Sequence, residues 1–374
     1  MPARNFEIRS FLEERADRLN DGTPGVSVGD SLALLGRSGW LGYGIPENLG
    51  GSGGSLFDAV EAIAAVSESC LTSGFVFWCQ RVFLEYLVAS DNPWLQEKVL
   101  PRVLSGEIAG ATGLSNAMKY LSGIEELRLE AEIDRETVTL NGFLPWASNL
   151  DDSGEFVVAV AARAPDGESL VVAVPSVAKG LKRGEDLQLL GLQASRTGTI
   201  ELDRVQLSRY WIISREAGVF LPKVRPRFLL LQCGLALGIA RRALQEAGES
   251  LRGAASLSAE RHAETRHFLD TLEHLIEDLS WPENLDTRQI RELFELRVAI
   301  TRLAVRSVWL EAEVKGGNGY FRDSATARRT REVAFLPVLT PSLVQLEREL
   351  QRQALTDKVV PFDRERPRER GRGE

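Results

Sequence analysis

Few residues in this sequence have types and spacing that could do chemistry. The histidines are three, His262, His267 and His274. The last two are seven residues apart and share a helix face, whereas helical metal ligands usually stand at i, i+4, so they read as a polar helix surface and no metal site is expected. Cys70, Cys79 and Cys233 are scattered through apolar runs, which suits buried reduced thiols and not a disulfide framework. Glycines crowd into the stretch Gly39–Gly54. A phosphate-cradling loop would need a Lys-Ser/Thr pair after it and a strand before it. Neither is there, so the stretch reads as a loop of tight turns and positive φ. Pro145–Trp146–Ala147–Ser148–Asn149 reads as a strand end running into a turn, and Gly316–Gly317–Asn318–Gly319–Tyr320 is a second glycine cluster.

Around these residues the periodicity changes twice. Residues 1–108 carry apolar positions at helical spacing, with Val60, Ile63, Ala64 and Val66 as an example. From 109 to 215 the period is two: Leu127–Ile133 alternates, and short β-rich runs such as Phe156–Ala162 and Leu170–Val174 follow, which predicts a compact antiparallel β-domain. No βαβ alternation is visible, which excludes a Rossmann domain. From 216 to 356 helical stripes return, broken at Ser280–Trp281–Pro282. Residues 357–374 are mixed-charge with almost no apolar residue, and a disordered tail is expected. At 374 residues two or three domains are expected. The net charge of −8 excludes a general phosphate-backbone binder, so no nucleic acid partner is expected. No apolar run is long enough for a membrane span, and the N-terminus reads as a charged helix and not a signal peptide. A cytoplasmic protein is therefore expected.

The order helices, β-domain, helical bundle resembles the acyl-CoA dehydrogenase family, a flavoprotein family. Gly39–Gly53 resembles the family's "GW-G-G-PE-YGG-G" loop, Leu100–Glu107 its "LP-L-SGE", Leu190–Val205 its "LG-RGS-T-E--FD-V", and Gly316–Tyr320 its "GG-GY". The fold implied is α+β, acyl-CoA dehydrogenase-like. The function implied is an FAD-dependent oxidoreductase acting on the CH-CH group of an acyl thioester or a related substrate. By the same resemblance Trp146 lies beside the flavin ring, the Ser148 hydroxyl reaches flavin N5, and Ser115 contacts the pyrimidine side. Gly316, Gly317 and Gly319 match glycines that approach the dinucleotide of a neighbouring subunit, which implies a homodimer or homotetramer. An acyl-CoA substrate and an electron acceptor protein are the implied partners.

The sequence departs from the family at three places. Met118–Leu121 does not match the Gly-Ser-Asp that grips the pyrophosphate. The family's Arg-x-x-Phe-Gly falls on Ala254–Ser258, with Arg252 nearby, and the Gln before the glycines is Glu313. The catalytic Glu of the family falls on Thr340, and in members that carry the base earlier it falls near Phe228. A hydroxyl cannot serve as the base near neutral pH. Glu332 and Glu347 flank Thr340 but stand off the matching position. A chain without the base fits a reduced-flavin monooxygenase of the same fold, or a non-catalytic homologue that has lost the reaction, as alternatives to the dehydrogenase.

Overall fold

A computed structural model describes residues 2–151 and 154–359. In the N-terminal part, α1 (Val28–Arg37), α2 (Leu56–Ser69) and α3 (Leu71–Ala89) form around the glycine loop. Ser27 caps α1, and Ser55 with Asp58 forms a reciprocal capping box on α2, so the chain starts each helix where a side chain can satisfy free N–H groups. The loop earns its glycines: a Cβ on Gly51 would lie 2.1 Å from the Ile45 carbonyl oxygen. Gly39, Gly44, Gly50, Gly53 and Gly54 have positive φ.

The middle part is one sheet of eight described strands: β1 (Ala109–Thr112), β2 (Leu129–Ile133), β3 (Thr137–Ala147), β4 (Phe156–Arg163), β5 (Ser169–Pro175), β6 (Leu181–Arg183), β7 (Gly198–Ser208) and β8 (Ile212–Ser214). The path runs β6-β7-β3-β2-β4-β5-β8, with β1 beside β4. Most pairings are antiparallel, while β4 joins β1 and β2 in parallel. A short helix, α4 (Ser115–Leu121), follows β1 directly. The inner face carries Leu140, Val158, Val160, Val172 and Ile200, all fully buried.

The C-terminal part is α5 (Ala217–Glu249), α6 (Ala259–Ser280), α7 (Thr287–Lys315), α8 (Ala325–Val333) and α9 (Leu343–Val359). Helix α3 is buried on every side because α2, α5 and β1 all pack on it. That explains why its apolar residues show no stripe: a helix covered all round has no polar face. Helices α2 and α5 approach closely at Gly238, where a Cβ would meet the Ala64 carbonyl oxygen at 2.2 Å. The tail expected from 357 begins inside α9, and from residue 360 on it lies outside the described residues. Cys70, Cys79 and Cys233 are buried free thiols, and burial pushes Cys70 up to about 11.

Candidate functional site

The polar residues that gather at one place do so through Gln80, which is fully buried in the middle of α3. Its Oε1 accepts from the Gly110 N–H (2.7 Å) and from Asn149 Nδ2 (3.0 Å). Its Nε2 donates to the carbonyls of Val103 (2.7 Å) and Ile108 (2.9 Å). Asn149 sits at φ 64°, a conformation Asn tolerates better than most residues, and also donates to the Gly110 carbonyl (2.9 Å). One amide in a helix thus fixes the end of β3 against the start of β1, and Thr112 and Ser148 face each other across an isolated β-bridge.

A row of hydroxyls results. Ser148 Oγ and Thr197 Oγ1 are 2.8 Å apart, and Thr197 Oγ1 is 2.9 Å from Ser195 Oγ. Thr112 Oγ1 is 3.2 Å from the Tyr86 phenol, whose pKa burial drives far upward. Ser115 Oγ donates to Thr340 Oγ1 at 3.0 Å. Trp146 stands at the rim, 53% exposed. Such a wall can give and take hydrogen bonds along the edge of a planar polar ring, but no acid in it can take a proton from carbon. The nearest acids in sequence are engaged elsewhere: Glu347 pairs with Arg302, and Glu332 lies 3.7 Å from Arg328.

The structure bonds Ser115 to Thr340 and sets Ser148 across from Thr112, which lies three residues before Ser115, with Trp146 exposed two residues before Ser148. Gly316 and Gly317 are at the far end of α7, with open space around their Cα positions. They are roughly 28 Å along the helix from Arg297, which lies near Thr340. Gly319 differs from its neighbours. A Cβ there would meet Lys315 and Thr326 at 3.2 Å, so this glycine lets α8 pack on the end of α7.

Two features of the site have no signal in the local sequence. Thr340 is held from behind: its carbonyl accepts from Gln232 Nε2 (2.8 Å), and Gln232 Oε1 accepts from Arg297 Nε (3.0 Å). Arg297 is fully buried, its other bonds run to Thr301 and the Leu336 carbonyl, and desolvation lowers its pKa. Among the described residues no carboxylate pairs with it. The second feature is at the end of α4, where Ser122 Oγ donates to Glu349 Oε1 (2.6 Å) and Arg225 grips the same carboxylate at 2.9 and 2.5 Å. The turn that follows Met118–Leu121, the segment that does not match the family's Gly-Ser-Asp, therefore already holds a carboxylate, from α9.

An aromatic cluster is built around Phe228, with Phe335 at its other end. Phe228 meets Trp78 edge-on at 5.0 Å, Trp78 stacks on Phe75 at 5.7 Å, and Phe75 meets Phe335 at 4.7 Å. Phe75, Trp78 and Phe228 are buried to 3% exposure or less.

Glu332, on α8 just before the Thr340 loop, is buried, and desolvation holds its carboxyl above the ordinary range despite Arg328 and Arg329; Asp17, Arg331 and Cys70 are its other charged or titratable neighbours. A carboxyl whose pKa is higher folded than unfolded favours the fold at low pH and loses that contribution as pH rises through the folded value. Glu332→Gln removes the ionisation and keeps the shape. Its melting temperature should gain on the parent's steadily as pH rises above about 4.5. An offset that is constant between acid and neutral pH would show that Glu332 stays in one protonation state.

Comparison with known proteins bears on the whole architecture. The sequence model described as "Acyl-CoA dehydrogenase, N-terminal domain" matches residues 7–107. The probable acyl-CoA dehydrogenase YngJ of Bacillus subtilis is 21% identical over 329 residues, 81% of this chain and 84% of that protein. Among solved structures, a glutaryl-coenzyme A dehydrogenase–glutaryl-CoA complex superposes with a TM-score of 0.82 at 17% identity, over 95% of both chains. PigA with FAD and proline superposes with a TM-score of 0.80 at 14% identity, over 94% of this chain and 98% of that one. At these identities the structural likeness shows the fold.

Proposed function

This chain belongs to the acyl-CoA dehydrogenase family, and from that premise we propose that it is a flavin-dependent oxidoreductase whose own residues do not abstract an α-proton from an acyl-CoA. The observation that carries the reading is the 3.0 Å hydrogen bond from Ser115 to Thr340, the residue on which the resemblance puts the family's base. A positioned carboxylate contributes about 10²–10⁴-fold to such a proton transfer, and a hydroxyl bonded to a hydroxyl contributes no comparable basicity. The aromatic packing supports the same conclusion. Phe228, which the resemblance puts at the alternative base position, packs against Trp78 and, through Phe75, on to Phe335, so an apolar ring cluster and no acid stands there.

The ring end of FAD fits the residues present. Trp146 offers an exposed face, and Ser148 and Ser115 offer hydroxyls on one wall. When bound, FAD would supply hydride acceptance. The chain's part is to hold the ring edge and shield it, and the Gln80–Asn149 clamp fixes the strands that do so. Gly316 and Gly317, open at the end of α7, are the backbone suited to a partner's dinucleotide in a homodimer or tetramer. The substrate in this reading is a compound related to the family's acyl thioesters, with an electron acceptor protein downstream and the cytoplasm as the compartment. No helix of the described residues is long and apolar enough to cross a membrane.

A second reading, a non-catalytic homologue, is favoured by the Glu349 carboxylate seated on Ser122. One experiment separates the two. The visible spectrum of the purified protein, with and without added FAD, should show bound flavin, and anaerobic titration with a broad acyl-CoA panel should leave it oxidised. Bleaching by any thioester would defeat the proposal that α-proton abstraction is absent. A colourless protein that takes up no FAD would defeat the flavoprotein and leave the non-catalytic homologue.

A further inference from the structure

We propose that Ser148, Thr197 and Ser195 form one directed chain of hydroxyls that presents a hydrogen-bond donor at Ser148. Thr197 and Ser195 are then positioning residues, and the ligand atom they select accepts a hydrogen bond and carries no hydrogen. This deepens the flavin reading and rests on it for the identity of that atom, N5 of an oxidised ring.

The direction follows from counting hydrogens. Ser148 Oγ lies 2.8 Å from Thr197 Oγ1, which lies 2.9 Å from Ser195 Oγ. Three hydroxyls carry three hydrogens, and the two bonds between them use two. The third must leave the chain. Ser195 is fully buried and Thr197 is 6% exposed, and neither side chain has another hydrogen-bond partner among the described residues. A hydrogen stranded at either would carry the desolvation cost of an unsatisfied donor. Ser148 is half-buried and is the end from which a hydrogen can reach a ligand or water. So Ser195 donates to Thr197, Thr197 donates to Ser148, and Ser148 donates outward. A hydroxyl that accepts is polarised into a better donor, so the chain strengthens the bond Ser148 makes.

The backbone fixes this spacing before any ligand arrives. Strands β3 and β7 pair Ala147 with Gly198, and the next rung sets Ser148 against Thr197. Beyond it the Asn149 N–H donates to the Ser195 carbonyl (2.9 Å) and the Leu150 N–H to the Arg196 carbonyl (3.1 Å). Asn149, Leu192 and Arg196 have positive φ, of 64°, 58° and 52°. Leu192 and Arg196 bound the turn Gln193–Ser195, and the buried Leu192 N–H is held by Asn20 Oδ1 at 2.9 Å. Such strained residues persist where their surroundings over-determine them, and they cluster at ligand sites.

Two measurements on the full chain test the inference, the first with no flavin present. Ser148→Ala strands the spare hydrogen between Thr197 and Ser195, whereas Ser195→Ala leaves Thr197 donating to Ser148 and strands none. Ser148→Ala should therefore lower the urea midpoint more than Ser195→Ala, although Ser195 is the more buried of the two. Equal shifts, or the reverse order, would overturn the inference. The second measurement compares binding of FAD with binding of 5-deaza-FAD, in which a C–H replaces N5. The parent should prefer FAD by about tenfold, the worth of one hydrogen bond. Thr197→Val keeps the shape and cuts the chain, and it should narrow that preference to about threefold. Thr197→Ser should restore it. Cutting the chain should also raise the potential of bound FAD, because the reduced ring carries a hydrogen at N5. Each tenfold change in relative affinity is about 30 mV for a two-electron couple. Equal binding of the two flavins by the parent, or one preference shared by the parent and Thr197→Val, would sink the inference and leave the flavin reading standing. Binding of neither flavin would end the flavin reading, and the order of the two urea shifts would then decide the hydroxyl chain by itself.

Discussion

Glu311→Ala should lower the free energy of unfolding by about 3–5 kcal/mol, read as a shifted denaturation midpoint with an unchanged slope. Glu311 is completely buried on α7 and is shared by α8: Arg329 reaches it through Nε at 2.8 Å and through a second, closer contact, and Thr326 donates to it at 2.5 Å. Lys315, one turn further on, lies 3.6 Å away. Deleting the carboxylate would leave the buried Arg329 guanidinium without its hydrogen-bonded anion, with Glu246 and Glu332 acting on it only at longer range. The cost of a buried uncompensated charge exceeds the modest net value of the pair, which is why one-sided removal is the severe experiment. Glu311→Ala combined with Arg329→Met should recover much of the loss. Failure of the double variant to recover would show that the helices dock through something other than this pair. Because α8 leads directly into the Thr340 loop, the single variant should also expose that loop to proteolysis.

The fold was legible because its signals are local and repeated. The switch from helical to alternating periodicity near residue 109 and back near 216 follows from burial on one face of a strand or one stripe of a helix, and four motifs in the family's order agree with it. The wall of the site was legible in part. Ser115, Trp146 and Ser148 are carried by segments whose neighbours resemble the family; in the fold Ser115 bonds Thr340 and Ser148 faces Thr112. What could not be read is the set of contacts between distant segments. Gln80 gave one clue, a lone amide inside the apolar run Phe75–Leu87, and such a residue in a buried helix needs partners. Its partners, Gly110 and Asn149, are 30 and 69 residues away. The Ser122–Glu349 contact spans 227 residues and has no local pattern at all. Gly319 illustrates the converse: its spacing matches a cofactor glycine, while its surroundings are the side chains of Lys315 and Thr326.

Thr340→Glu restores the acid at the family's position, and it should nevertheless produce no thioester dehydrogenation on its own. The carboxylate itself would be well served. Ser115 could donate to it as it now donates to Thr340, and the buried Arg297, whose bonds run only to neutral acceptors among the described residues, would favour its ionised form. A base is useful only if a carbon acid can come within about 3.5 Å of it, and we propose that the mutually packed rings of Phe75, Trp78, Phe228 and Phe335 obstruct that approach. The expected result is a folded variant whose bound flavin is not bleached by any acyl-CoA under anaerobic conditions. Adding Phe335→Ala and Phe75→Leu should open room at the ring nearest the loop, with Phe335 the less costly truncation because it is only half-buried. If steric filling is the remaining block, this combined variant should bleach with short thioesters, while the same two truncations without the new acid should not. The general-base term sets the size of the difference, about 10²–10⁴-fold in the rate of flavin reduction. Bleaching by Thr340→Glu alone would mean that substrate already reaches the site and that the missing acid was the whole defect. No bleaching in either variant, with riboflavin or FAD bound, would place the loss in how the ring is held.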